Sequence, residues 1–186
     1  MKFAVVDLEC TDLKGDRGFL LCAGILPLGG KPRVISLRDT GFGSSRLKLD
    51  APLALAVRDA IEEFDGVVGW NSALFDWGFL SDRLLLAGAR KISPRFHIDI
   101  MYAARMGKST FTSSRLDWVA RALGCPFKKT SLDMSCWKEA EAEAILHFRR
   151  GHKAFDYIVD HCREDLKVTE WVFERLKGRV QTISKR

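Results

Sequence analysis

The nine residues Phe3-Ala4-Val5-Val6-Asp7-Leu8-Glu9-Cys10-Thr11 constrain this chain more than any others. Val5 and Val6 are β-branched, and the run stays apolar until it meets two acids, which predicts a strand. Side chains alternate faces along a strand, so Asp7 and Glu9 share one face and Leu8 takes the other. Two same-facing carboxylates repel, and at the end of an apolar strand they face partial desolvation. A divalent cation removes both penalties. A strand that simply ends in water removes them too, and this stretch alone leaves both readings open.

The residues that follow set the architecture. Residues 12–18 read as a polar loop in which Leu13 is apolar among charges. Residues 19–28 and 33–37 read as strands, and the turn-rich segment 26–32 between them predicts a hairpin. Residues 39–48 read as a Gly/Ser loop. Asp50-Ala51-Pro52 opens a helix, with Asp50 as cap and Pro52 in the first turn. Leu53, Ala56, Val57, Ala60, Ile61 and Phe64 form its apolar stripe, and Asp65-Gly66 ends it. Residues 67–70 form a short strand without polar alternation, as in a central strand covered on both faces. Asn71-Ser72 closes that strand and caps a helix over 73–87, which Gly88 stops. Residues 95–100 form a fifth strand. Helices over 116–123, 137–150 and 153–177 follow, separated by basic loops. This order predicts an α/β domain of three layers on a mixed five-stranded sheet, its fourth strand parallel to the first.

A length of 186 residues suits one domain, with a core over about 1–178 and a basic tail over 179–186. No apolar run approaches the roughly 20 residues of a membrane span. Acids at positions 7 and 9 exclude a signal peptide at the N-terminus. Five cysteines without a C-x-x-C pair predict reduced thiols, a cytoplasmic protein and no structural zinc. Residues 1–93 carry 12 basic and 12 acidic side chains, so the whole net charge of +6 lies in the second half. An acidic cluster early and a basic surface late suit a polyanion held over a metal site.

Four acids fall where strand and helix ends can converge. Asp7 and Glu9 lie on the first strand. Asp76 lies in the first turns of the helix after the fourth strand, where a negative charge is favoured. Asp165 lies on the last helix, four residues after His161 and on the same face. The apolar stripe of that helix is Phe155, Ile158, Cys162, Leu166, Thr169, Phe173 and Leu176, and Asp165 stands at its border. The pair His161–Asp165 can therefore reach into a cleft, or stand on the surface.

The blocks Val5-Val6-Asp7-Leu8-Glu9-Cys10-Thr11, Gly69-Trp70-Asn71-Ser72-Ala73-Leu74-Phe75-Asp76 and His161-Cys162-Arg163-Glu164-Asp165 stand in that order across residues 5–165. Together they resemble the DEDD superfamily of 3′–5′ exonucleases, which has a ribonuclease H-like fold. The resemblance is mixed at its end. One branch of the superfamily has Tyr four residues before the last Asp, and another has His five before it. His161 joins the spacing of the first branch to the residue of the second. Cys10 also stands where the family often has Thr, and Thr11 comes next. Tyr157, eight residues before Asp165, reads as packing.

The resemblance implies a hydrolase cutting phosphodiester bonds of DNA or RNA with two ions, Mg²⁺ or Mn²⁺. Asp7 would bridge both, with Glu9, Asp76 and Asp165 completing the shells and His161 as general base. Thr11, Leu13, Asn71 and Phe75 would meet the terminal nucleotide of a 3′ end, with a single strand as partner and no membrane. Leu13 has a second reading as a loop residue folded onto the core, and Asn71 and Phe75 as cap and packing. Arg105, Lys108, Phe111 and Arg115 combine charge with an aromatic ring, a pattern suited to single strands. Lys128-Lys129 and Arg149-Arg150-Lys153 are further basic clusters. Asp99 reads equally as a strand-end acid or as support for the site, and the five tryptophans read as core. A non-catalytic nucleic-acid-binding module and an endonuclease of the same fold are the competing functions.

Overall fold

The computed structural model describes residues 1–93, 96–105, 111–127, 130, 132–149 and 151–179, the side chain of residue 179 excepted. Among them stand strands β1 (Phe3–Cys10), β2 (Leu20–Pro27), β3 (Arg33–Ser36), β4 (Gly66–Gly69) and β5 (Phe96–Asp99). The helices are α1 (Leu37–Thr40), α2 (Ala51–Glu62), α3 (Asp76–Leu86), α4 (Ile100–Arg105), α5 (Leu116–Ala122), α6 (Met134–Ile145) and α7 (Lys153–Leu176). Arg95, Lys108, Lys128, Lys129, Arg150 and the tail from residue 180 lie outside the described residues.

The sheet has the order β3-β2-β1-β4-β5. β2 is antiparallel to both β1 and β3, whereas β4 is parallel to β1 and β5, so the sheet is mixed as expected. Alternation along β1 sorts its side chains. Ala4, Val6 and Leu8 join the core that holds Leu53, Val57 and Ile61 of α2 and Phe79, Leu80 and Leu84 of α3. Val5, on the other face, joins Leu166, Val168 and Val172 of α7 and Val119 of α5. Burying each such side chain contributes about 1.5–3 kcal/mol, which fixes the register of β1 and with it the facing of Asp7 and Glu9.

α7 lies close on the sheet at Gly24, the β2 residue opposite Asp7. A Cβ there would stand 2.7 Å from Leu166 Cδ1 and 2.8 Å from Cys162 Sγ, so only glycine admits the helix at this depth. β1 and β4 pair over Phe3–Val5. Further along, the backbone N–H of Leu8 donates instead to Asp76 Oδ1 at 2.9 Å.

Several boundaries differ from the sequence reading, each for a tertiary reason. α3 starts at Asp76, not 73, because Asn71 adopts φ +59° and the chain turns through residues 71–75. Asp99 holds that turn by accepting the N–H groups of Asn71 and Ala73 at 2.9 and 3.0 Å. α6 ends at Ile145, not 150: His147 and Phe148 have φ +51° and +57°. There the His147 ring stacks on Phe42 at 4.1 Å, and Phe148 meets Phe155 at 4.6 Å. The short helices α1 and α4 were not expected from periodicity. Asp99 Oδ1 accepts from Met101 N at 3.0 Å in the first turn of α4. Asp50 occupies the cap position of α2 without making a side-chain cap bond. It is buried instead against Arg83, 33 residues away.

Candidate active site

The site starts from the shared face of Asp7 and Glu9. Because α7 seats at Gly24, Cys162 comes down beside them, and the donor atoms of Asp7, Glu9 and Cys162 lie within 4.8 Å of one another. Glu9 is buried and Asp7 half-buried. The neighbouring Cys22 thiol, burial, and the charges of Asp7 and Glu9 all push the Cys162 thiol well above its ordinary range. Its sulfur leans toward the Asp7 carbonyl at 3.9 Å. The carboxylates of Asp7 and Glu9 could hold a divalent cation, since hard oxygen ligands suit Mg²⁺ or Mn²⁺.

Asp76 stands at the first position of α3, buried, with its bond to Leu8 N setting it against the β1 backbone, and it lies outside the 4.8 Å group of Asp7, Glu9 and Cys162. Burial pushes its carboxyl up to about 7, the bond from Leu8 N opposes that, and the charge of Asp99 adds to it. Asp165 and His161 are both buried, which excludes the surface pair. His161 Nε2 lies 3.9 Å from Asp165 Oδ2. The imidazole also meets Trp137 edge-on at 6.1 Å between centroids.

Two clefts open beside β1, one at Glu9 and one at Asp7 and Asp165, and Asp76 lines neither. One, of about 250 Å³, has Glu9, Thr11, Leu13, Phe75, Met134 and Trp137 among its walls. The other, of about 490 Å³, is walled by Asp7, Trp70, Asn71, Arg105, Arg115 and Asp165, among others. The four residues expected at the terminal nucleotide thus divide, Asn71 in the larger cleft and the rest in the smaller. Leu13 is 75% exposed, so it does not fold onto the core. Thr11 Oγ1 accepts from Phe19 N at 3.1 Å and braces its loop. Asp99 proves to be the clamp on the Asn71 turn rather than a solvated strand end.

Sequence reasoning missed other contributors. Trp70 and Trp137 line clefts, and Trp118 is 44% exposed beneath Arg121, so the tryptophans are not uniformly core. Phe111, by contrast, packs against the core of α5 and α7. Arg83 ties the loop carrying Leu13 in place: it donates to Gly15 O at 2.6 Å and Leu47 O at 2.7 Å while paired with Asp50. Its helical spacing from Phe79, Leu80 and Leu84 was the available signal for a buried position.

No described helix is long and apolar enough to cross a membrane. Nothing among curated proteins matches this chain. Among solved structures, it is similar to the family B DNA polymerase from the hyperthermophilic archaeon Pyrobaculum calidifontis, with a TM-score of 0.65 and 17% identity. The match covers 95% of this chain and 24% of that one, so this chain spans about a quarter of the polymerase's length. At that identity the likeness shows a common fold. A family model described as the RNase H superfamily matches residues 4–177, and the chain belongs to that superfamily.

Proposed function

We propose that the chain is a metal-dependent 3′–5′ exonuclease of the DEDD type, hydrolysing phosphodiester bonds of DNA or RNA. The observation that carries this reading is the clustering of the Asp7 and Glu9 donor atoms within 4.8 Å, with Asp165 in the same cleft as Asp7 and Asp76 bonded to the backbone of β1 at Leu8. Asp7, Glu9, Asp76 and Asp165 would hold two ions, Mg²⁺ or Mn²⁺. Such a pair supplies a water of lowered pKa and charge to stabilise the leaving oxygen. His161 would serve as the general base for the attacking water through Nε2, the nitrogen facing Asp165. Trp137 holds the ring edge-on, and its other role is as a wall of the smaller cleft. Leu13 and Phe75 bracket the terminal base in that cleft, whose apolar lining and volume suit one nucleobase. The four-residue spacing of His161 places the base on the same helical face as the last acid.

The test uses 3′-labelled and 5′-labelled DNA and RNA oligomers and a circular single strand, each with Mn²⁺. Stepwise shortening from the 3′ end, with the circle intact, is expected. Cutting of the circle would instead assign an endonuclease. Strand binding without any cleavage in Mg²⁺ or Mn²⁺ would assign a binding module. Asp7→Ala abolishes hydrolysis while strand binding persists.

A further inference from the structure

We propose that a third cleft, along the last turns of α7, binds an extended acidic segment of a partner protein, in which a bulky apolar side chain stands two residues from an acid on either side. The proposal is independent of the chemistry at the β1 acids. The cleft, of about 580 Å³, exceeds both clefts beside those acids and shares none of their lining residues. One of its walls is Leu28, whose N–H donates to Phe3 O at 3.0 Å. The cleft therefore meets β1 at its first residue, about 13 Å of strand before Asp7. Its apolar floor joins the half-buried Leu28 and Trp171 to Phe127, which is 49% exposed.

Charge and spacing identify the occupant. The glutamates of the cleft are already engaged: Glu170 Oε1 accepts from Gly29 N at 2.8 Å, and Glu174 pairs with Lys177 at 2.5 Å. Lys167 and Arg175 are exposed and, among the described residues, pair with no carboxylate. Arg175 lies over the Trp171 indole, its Cζ 3.1 Å from the ring centroid, and its Nη1 donates to Trp171 O at 3.3 Å. A guanidinium held in this way is pre-organised and offers its remaining N–H groups to a carboxylate. Lys167, Trp171 and Arg175 recur every fourth residue, so they form one stripe on α7 with about 6 Å between successive members. An extended peptide advances about 6.6 Å in two residues and sets those side chains on one face. Acid, apolar residue and acid at alternate positions therefore meet Lys167, the Trp171 floor and Arg175 in register. A nucleic acid does not fit: Arg175 covers a face of the indole that a base would need, and Glu170 and Glu174 repel phosphate. A peptide meets both signs, because its N–H groups donate to glutamate while its acids face the cations.

The probe is a fluorescein-labelled peptide, Gly-Glu-Ser-Phe-Ser-Glu-Gly, titrated by anisotropy with the full chain in EDTA. Saturable binding with a Kd of about 100 µM or tighter is expected. The isomer Gly-Ser-Glu-Phe-Glu-Ser-Gly has the same composition and charge, but its acids point to the face opposite the phenylalanine, and it binds about tenfold more weakly. Lys167→Glu/Arg175→Glu changes two exposed positions outside the catalytic machinery. It weakens the first peptide about tenfold or more, and it binds Gly-Lys-Ser-Phe-Ser-Lys-Gly more tightly than wild type does. Oligothymidine does not displace the first peptide from wild type. Failure to saturate by about 1 mM peptide, equal affinity for the two glutamate isomers, or a double variant that binds as wild type does overturns the proposal. Displacement by oligothymidine assigns the cleft to nucleic acid and overturns it too. The isomers are compared on wild type, so the test stands whatever the stability of the variant. No arm reads hydrolysis, so failure of the exonuclease reading leaves the result unchanged.

Discussion

Arg83→Met tests how the Leu13 loop is held. Arg83 and Asp50 are both almost fully buried, at 2% and 1% side-chain exposure. Their guanidinium and carboxylate meet at 2.5 and 3.0 Å, and Asp50 takes one further bond, from Leu20 N at 2.6 Å. Removing the arginine strands a carboxylate that keeps a single backbone donor. Breaking a buried pair in this way costs about 3–5 kcal/mol. For a chain of this length each kcal/mol shifts Tm by roughly 2–4 °C, so a fall of roughly 6–20 °C is expected. The carbonyls of Gly15 and Leu47 also lose their donor, so the loop bearing Leu13 loosens and KM rises. Circular dichroism melts measure the first effect and oligomer kinetics the second. Asp50→Asn combined with Arg83→Met removes both charges yet retains an acceptor for Leu20 N. It recovers more than half of the lost stability. A single-variant shift below about 3 °C, or a double variant no better than the single, would refute the reasoning.

Gly24→Ala puts a Cβ 2.7 Å from Leu166 and forces α7 outward, at about 1–3 kcal/mol. Activity falls further than the melt implies, since Cys162 and Asp165 ride on that helix; full activity in this variant would contradict the seating. His161→Ala lowers turnover about 10²–10⁴-fold while calorimetric Mn²⁺ binding survives, and wild-type turnover would remove its role as base. Asp76 has a folded pKa raised to about 7, so the folded state holds a proton that the unfolded state has released. Its contribution is present at acid pH and lost as pH rises from about 4 towards 7. In EDTA, melts across that window therefore decline relative to Asp76→Asn, and parallel curves would dismiss the shift.

The parts of the molecule written into short sequence windows were readable. β1 announced itself by Val5 and Val6, and the stripe from Phe155 to Leu176 gave α7 almost to the residue. The parallel pairing of β4 with β1 followed from a crossover before β4. What escaped depends on partners far away in sequence. Asp50 obeys the local rule for a cap, and only an arginine 33 positions later draws its side chain elsewhere. The turn before Asp76 needs Asp99, which lies 28 residues beyond Asn71. His147 leaves the helix to stack on Phe42, a preference no helical period records. Among the acids, periodicity gave the facing of Asp7, Glu9 and Asp165, but not the close approach of α7 at Gly24 that sets Cys162 beside Asp7 and Glu9.

The bond between Leu8 N–H and the Asp76 carboxylate means that one acid is also a stitch in the sheet. Where β1 and β4 part, the seam is finished by a side chain in place of a backbone carbonyl. Alanine at this position would unpick the seam and silence the chemistry in one stroke, confounding the two. Asparagine keeps the stitch and discards the charge, so it is the substitution from which a catalytic deficit at this position is legible.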